Sequence, residues 1–494
     1  MLQSFVRCLS VFLVSSFVLA CAADPPREPC DLVLRGGRVI DPASGFDGVV
    51  DVSIREGRVV ALGTPAPSAC EGVDVTGLVV APGFIDLHVH GQDTVSRDYM
   101  ARDGVTTALE LEAGALDVDR LLASSEGKAR IHYGVSAGHI LARVFVKHGI
   151  RELHGNMASI GATGWMTERA TKEEIEALVS TLEAELDSGA MGIGMGIAYT
   201  PAADQRELRA IFDLAARRDV AVFVHIRAQR NPQDVAPLVE VLELAEASGA
   251  SLHVVHINSS SAAAIEKSLE MIDAASRRGL DVSTEAYPYT AGSTFLESAL
   301  FAPGWRKKRG VDYSDLQWVE TGERLTPETF AKFRAEGGPV ILHFMRPEWI
   351  RRAIAHPGVM VASDGMPMQR GAHPRGAGSH ARVLSRYVRE EGLISLSDAI
   401  AKLSLLPAKR LEAVVPAMRN KGRIQVGSDA DLTIFDPNRV SDRATFEEAL
   451  QYSEGIEHVL VGGTFVVRDG ELVAEAYPGK PLRGAAPGAR SGSD

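Results

Sequence analysis

The stretch Ala81-Pro82-Gly83-Phe84-Ile85-Asp86-Leu87-His88-Val89-His90 decides the fold and locates the chemistry. Pro82 and Gly83 break the chain, and the apolar run behind them reads as a short buried strand. Period two puts Phe84, Asp86, His88 and His90 on one face, so two imidazoles project together from its C-terminal end. Strand-like segments recur at 105–112, 132–139, 192–197, 221–227, 252–258, 282–289 and 359–364, with helical periodicity between them. Thr171 and Glu174 form a capping box, Ile175, Leu178, Val179, Leu182 and Leu186 share a helix face, and Gly189 stops it. Eight strands alternating with helices predict a closed (β/α)8 TIM barrel over residues 81–411, an α/β fold. The last two strands stand too far apart for one helix, and about 305–340 reads as an insertion over the barrel mouth.

Outward from the barrel the texture changes. Residues 31–80 break into short β segments punctuated by Gly36-Gly37, Asp41-Pro42, Glu56-Gly57 and Gly63, and the same pattern returns within 412–478. The two ends predict one small β-sandwich domain. Arg7 followed by an apolar run over 8–20 reads as a signal peptide, too short to span a bilayer as a helix. Val18-Leu19-Ala20-Cys21 resembles a lipobox, which makes Cys21 a lipid anchor, 21–30 a tether and the periplasm the expected location. Cys30 and Cys70 then remain, and an oxidising compartment favours a disulfide between them. The Gly-, Ala-, Pro- and Arg-rich end, 479–494, reads as disordered.

The chain has 494 residues, with 52 Lys and Arg against 64 Asp and Glu, a net charge of −12. That balance excludes a nucleic-acid partner, which needs a basic footprint. Hydrophobic residues at 45% and charged ones at 23% are those of a globular enzyme-sized chain.

Catalytic groups of a barrel gather where the strands end. The fifth strand places His225 there beside Arg227, the sixth His256 and Asn258, and the eighth Asp364. Four His and one Asp at equivalent depth form a metal-site constellation, whereas a lone strand His is usually a satisfied polar residue. His132, His253, His343 and His356 lack such partners and are read as structural; His139, ending the third strand, lies between the two cases. Glu110 and Glu112 share a face of the second strand. Either acid bridges two cations or simply pairs with an Arg, and Glu112, nearer the mouth, is the better bridge.

The quoted first strand, together with Gly427-Ser428-Asp429-Ala430-Asp431-Leu432, resembles the amidohydrolase superfamily. Ile197-Ala198-Tyr199-Thr200-Pro201, His225-Ile226-Arg227, the run from Tyr287 to Thr294, Ser363-Asp364-Gly365 and His373-Pro374-Arg375 are similar to N-acyl-D-amino-acid deacylases. The resemblance implies one or two zinc ions held by His88, His90, His225 and His256, with Asp364 as general base. It also implies a small-molecule N-acyl amino acid gripped at its α-carboxylate by Arg375, with Tyr199 at its carbonyl and Tyr287 and Asn258 lining the site. Zinc lowers the pKa of water to about 7 and polarises a carbonyl, chemistry that suits amide hydrolysis. Two departures stand out. The family's second-strand metal-ligating Cys is missing, its seat taken by Ala113, which leaves Glu112 to compensate. Asn258 stands where a Lys is common, so the pocket cannot be copied, and Glu297, Trp305 and Arg306 are candidates to shape it. No Lys stands on the fourth strand to act as a carboxylated bridge. Competing expectations are a D-dipeptidase, a cyclic-amide hydrolase, which Arg375 disfavours, and a non-catalytic binding lipoprotein, which the intact metal set disfavours.

Overall fold

The computed structural model describes residues 30–63, 70–151 and 164–485. The signal-like segment, Cys21 and its tether up to residue 29, and residues 486–494 lie outside these. Among the described residues no helix is long and apolar enough to cross a membrane.

Eight parallel strands follow one another in chain order: Phe84–Asp86, Val105–Ala115, His132–Gly138, Gly192–Gly196, Ala221–His225, Ser251–Val254, Val282–Ala286 and Val359–Val361. The first and eighth are shorter than period two predicts, for a reason that builds the site. The buried Asp86 carboxylate accepts the N–H groups of His88 and Ser363, each at 3.1 Å, and takes both out of the ladder. Beyond that clamp the barrel closes through single backbone bonds: Asp364 N–H donates to His88 O at 2.8 Å, and His90 N–H to Gly365 O at 2.7 Å. The first and eighth strand ends are therefore locked together where His88, His90 and Asp364 emerge.

Outside the barrel the helices form as their patterns demand. Lys172–Asp187 carries the reciprocal Thr171–Glu174 capping box and buries Leu178, Leu182 and Leu186 against the barrel. The excursion between the last two strands is larger than residues 305–340: it opens at strand Ala291–Phe295 and ends at Pro339–His343, which pairs with both that strand and Leu316–Trp318. Its own apolar core, with Trp318 stacked on Phe333 at 4.6 Å, also takes in Ala198 and Tyr199 and so seats the excursion on the mouth.

The two chain ends join in one continuous nine-stranded sheet, where Leu432–Phe435 pairs with Val79–Pro82 on one side and Ile456–Val461 on the other. Alternation divides that strand between two cores. Leu432 and Ile434 pack into the small domain, while Phe435 meets Phe84 of the barrel at 6.5 Å. Cys30 and Cys70 are disulfide-bonded, with Cα atoms 5.5 Å apart. The expectation of a disordered end fails for 479–485. Leu482 is buried, and its N–H donates to Tyr133 O at 2.8 Å, while Gly479 N–H donates to Ala129 O at 2.9 Å. Backbone hydrogen bonding to strand-end carbonyls, which composition does not reveal, holds this stretch on the barrel floor.

Candidate active site

His88 and His90 emerge from the locked end of the first strand, and Glu112 meets them from the second. Glu112 Oε2 lies 2.6 Å from His88 Nε2 and 3.6 Å from His90 Nε2. Its other oxygen, Oε1, lies 2.9 Å from His225 Nδ1, and His256 Nε2 is 3.7 Å from Oε2. Two donor groups result, His88–His90–Glu112–Asp364 and Glu112–His225–His256, each with ligand atoms within 4.8 Å of one another. Glu112 belongs to both. This approach needs Gly194 on the fourth strand, since a Cβ there would come within 2.3 Å of Glu112 O and 2.6 Å of Ser136 Oγ. Glu110 lies behind the cluster, its Oε2 2.6 Å from His90 Nδ1 and its Oε1 accepting from Ala113 N–H at 3.0 Å.

The donor chemistry fits a divalent cation. His88 and His90 turn their Nε2 atoms inward and their Nδ1 atoms onto carboxylates, the orientation metal-bound imidazoles adopt. Burial opposes charge on His88, yet Asp364, Glu285 and Glu112 outweigh it and push the imidazole well above its usual range. Burial opposes charge on Glu112 too, but His225 and His88 hold its carboxyl well below the usual range. The cluster thus demands positive charge and supplies lone pairs to receive it.

Asp364 and Arg375 complete the mouth. Asp364 adopts a left-handed φ of 53°, costly for a residue with a Cβ, and it sets Oδ1 3.3 Å from His90 Nε2 and 3.5 Å from His88 Nε2. Although burial raises its carboxyl, Arg375 and the imidazoles hold it far below the usual range. Arg375 is 1% exposed and lies over the Tyr287 ring, 4.6 Å from its centroid. Its Nη2 is 2.8 Å from Asp364 Oδ1 but off the hydrogen-bonding direction, and none of its three guanidinium nitrogens has a hydrogen-bond partner among the described residues. Tyr199 stands edge-on to His225 at 5.0 Å, its hydroxyl 3.0 Å from Thr294 Oγ1. Burial, then the charge of Glu112, raises the Tyr199 phenol, and burial pushes Tyr287 up to about 12, so both keep their protons.

Other residues singled out in the sequence are placed elsewhere. Asn258 does not line the site: it is fully buried, donates to Tyr287 O at 3.1 Å and accepts from Tyr287 N–H at 3.4 Å. The sixth strand ends at Val254 and His256 turns through a left-handed φ of 33°, so strand alternation does not reach Asn258. Glu297 accepts from Gly338 N–H, Trp305 fills the excursion's core, and Arg306 pairs with Asp312 in solvent. His139 lies against Glu207 at 2.7 Å, away from the cluster, and His132 against Asp431 at the junction with the small sheet. His343 meets Gln317 and His356 meets Asp273. Arg309, at the end of the short helix Trp305–Arg309, carries no sequence signal of a site residue. Half-buried, it makes no hydrogen bond or ion pair among the described residues, and burial lowers its guanidinium against the opposing influence of the Tyr199 and Tyr287 phenols.

Comparison with known proteins agrees with this geometry. The Amidohydrolase family matches residues 71–467. An N-acyl-D-glutamate deacylase of Alcaligenes xylosoxydans xylosoxydans is 31% identical over 92% of this chain and 97% of its own. A D-aminoacylase of the same organism is 30% identical over 88% and 94%. The crystal structure of N-acyl-D-glutamate deacylase from Bordetella bronchiseptica, complexed with zinc and a phosphonate mimic of the tetrahedral intermediate, superposes with a TM-score of 0.78 at 27% identity, covering 92% of this chain and all of that one. With a metal-binding constellation at the strand ends and a family match over most of its length, the chain is a member of the amidohydrolase family.

Proposed function

We propose that this protein hydrolyses the amide bond of N-acyl-D-amino acids, that its metal is zinc, and that substrates with an acidic side chain are preferred. The observation that carries the reading is Arg375, a buried guanidinium with unfilled donors, set beside the carboxylate that faces the metal donors. A substrate carboxylate satisfies those donors and brings the neighbouring amide to the cluster, as the planar fork of Arg favours. The names of the relatives, deacylases of N-acyl-D-glutamate and of D-amino acids, support the same substrate class.

The residues divide the work. His88, His90, Glu112, His225 and His256 would hold the metal, with Glu112 shared between the two groups. Zinc, when bound, lowers the pKa of water and polarises the amide carbonyl. Asp364, ionised and 3.3 Å from the nearest metal-facing nitrogen, accepts the proton from water and delivers it to the departing nitrogen. Tyr199, protonated at neutral pH, donates to the carbonyl oxygen as charge develops there. Arg375 and Tyr287 orient the α-carboxylate, and Arg309 supplies an unpaired cation for a second one.

The signal-like segment and the Cys30–Cys70 disulfide support export to the periplasm with anchoring at Cys21, since structural disulfides persist in oxidising compartments. Cys21→Ala should move the protein from the membrane fraction to the soluble one. Purified zinc-loaded protein should turn over N-acetyl-D-glutamate faster than N-acetyl-D-leucine, and Arg309→Leu should abolish that preference; an unchanged preference in the variant removes Arg309 from recognition.

A further inference from the structure

Between strands Leu432–Phe435 and Ile456–Val461 the small domain sends out residues 436–455, a stretch without helix or strand. It is closed at its base, where Ser441 and Glu454 exchange backbone hydrogen bonds at 3.0 and 2.9 Å, so the residues between them form a compact loop. Substrate-binding loops of a barrel ordinarily come from its own strand ends, and this one comes from outside.

The loop packs against the chain on either side of Arg375. Ala444 and Ala449 are buried in one cluster with Ala372 and Ala377. Ser453 Oγ lies 3.1 Å from Ala377 O, and Asp442 Oδ2 accepts from Arg382 Nη1 at 2.8 Å and from the Tyr289 hydroxyl at 3.3 Å. The helix Arg375–Arg382 makes room for this approach with a kink at Gly378, where a Cβ would come within 2.7 Å of Asp442 Cβ.

Phe446, in the same loop, reaches the residue that holds the Arg375 backbone. Its ring stands between two imidazoles, 4.7 Å from His343 and 5.0 Å from His373, and its carbonyl accepts from Gln317 Nε2 at 3.2 Å. His373 is 1% exposed and joins two backbones: Nε2–H donates to Ala291 O at 2.9 Å, and Nδ1 accepts from Arg375 N–H at 3.1 Å. Only a neutral imidazole donates at one nitrogen and accepts at the other, and burial together with the charge of Arg375 keeps His373 well below its usual range. The Arg375 guanidinium has no hydrogen-bond partner among the described residues, so its place over the Tyr287 ring is set by the backbone that carries it. His373 fixes that backbone, and Phe446 fills the space that fixes the imidazole.

We propose that Phe446 is a positioning residue for Arg375, acting through His373, so that the small domain takes part in holding the substrate's α-carboxylate. The proposal rests on the reading of Arg375 as that carboxylate's partner. A phenyl ring carries no donor for a carboxylate, and its effect passes entirely through the imidazole.

A double-mutant cycle on the zinc-loaded, full-length protein tests it. kcat and KM for N-acetyl-D-glutamate are measured on the parent, Phe446→Ala, Arg375→Met and the double variant. Phe446→Ala should raise KM about 10-fold, the lower end for a charged hydrogen-bonded contact, and leave kcat within about twofold. Phe446→Tyr, which keeps the ring, should restore the parent's KM. In the Arg375→Met background Phe446→Ala should shift KM by less than about twofold, because the group it positions is gone. His373→Asn keeps an acceptor for Arg375 N–H but is too short for Ala291 O; it replaces Phe446→Ala if thermal unfolding shows the latter to be misfolded, and should raise KM in the same way. Equal rises in KM in both backgrounds, or a folded Phe446→Ala with the parent's KM, overturn the proposal alone. If Arg375→Met itself leaves KM unmoved, or no N-acyl-D-amino acid is turned over, the reading of Arg375 falls and the proposal with it.

Discussion

Replacing Glu112 by Ala removes the one carboxylate that both donor groups share. The first group falls from four donor residues to three and the second from three to two, below the three protein ligands of a catalytic zinc. Zinc held by four protein ligands is bound by about 10–16 kcal/mol, so one ligand accounts for about 3 kcal/mol, or roughly two powers of ten in affinity. Glu112→Ala should therefore lose about 10²-fold in affinity at each pocket, and the two-ligand pocket should empty altogether at micromolar free zinc. Glu110→Gln touches only the back of His90, retains an acceptor for its Nδ1, and should cost about tenfold, the lower end for an outer partner. The assay is elemental analysis after dialysis at buffered free zinc, with deacylase turnover measured on the same samples. Full zinc occupancy in Glu112→Ala, or equal losses in the two variants, refutes the shared-ligand reasoning and leaves Glu112 a buried pairing partner.

Asp364→Asn should lower kcat about 10²- to 10⁴-fold, because an amide cannot take the proton from water, and near-normal turnover removes Asp364 from the reaction. Arg375→Met should raise KM about 10- to 100-fold for N-acyl amino acids, the worth of about 1.5–3 kcal/mol for a charged hydrogen-bonded contact, and should spare an amide lacking the α-carboxylate. Lys402 is 2% exposed and donates to the carbonyls of His356, Pro357 and Val359 at the barrel floor. Burial lowers its ammonium from 10.5 to about 8. Between those values the unfolded chain binds more protons than the folded one, so stability contributed here rises with pH. Urea midpoints at pH 8 and pH 10 should differ less in Lys402→Met than in the parent; identical differences contradict the assignment.

Much of this site is legible in the amino-acid sequence, because it depends on strand alternation. His88 and His90 follow from period two behind a Pro-Gly break, and Glu112 from a missing Cys that leaves two inward acids on one strand. Alternation fails where strands stop early. His256 bends the chain out of the sixth strand, which turns Asn258 from an expected pocket residue into a brace for the Tyr287 backbone. His253, which its place at a strand beginning marks as structural, stands directly behind the metal donors because that strand is only four residues long. Arg309 ends the run Trp305-Arg306-Lys307-Lys308-Arg309, in which the sequence singles out only Trp305 and Arg306. It belongs to the three-stranded excursion, whose strands are distant in sequence, so no local pattern marks it. The packing of residues 479–485 is equally invisible to composition, since it is made by backbone groups that every residue carries.

The central claim is that a metal cluster and a carboxylate-binding guanidinium together cleave the N-acyl bond of D-amino acids. The most direct test compares kcat/KM for N-acetyl-D-glutamate and its L-enantiomer, on zinc-loaded protein and on the same protein after chelation. The account predicts turnover of the D-enantiomer only, lost on chelation and restored by zinc. Turnover that survives complete removal of metal, or a zinc-loaded protein that hydrolyses neither enantiomer of any N-acyl amino acid, contradicts it.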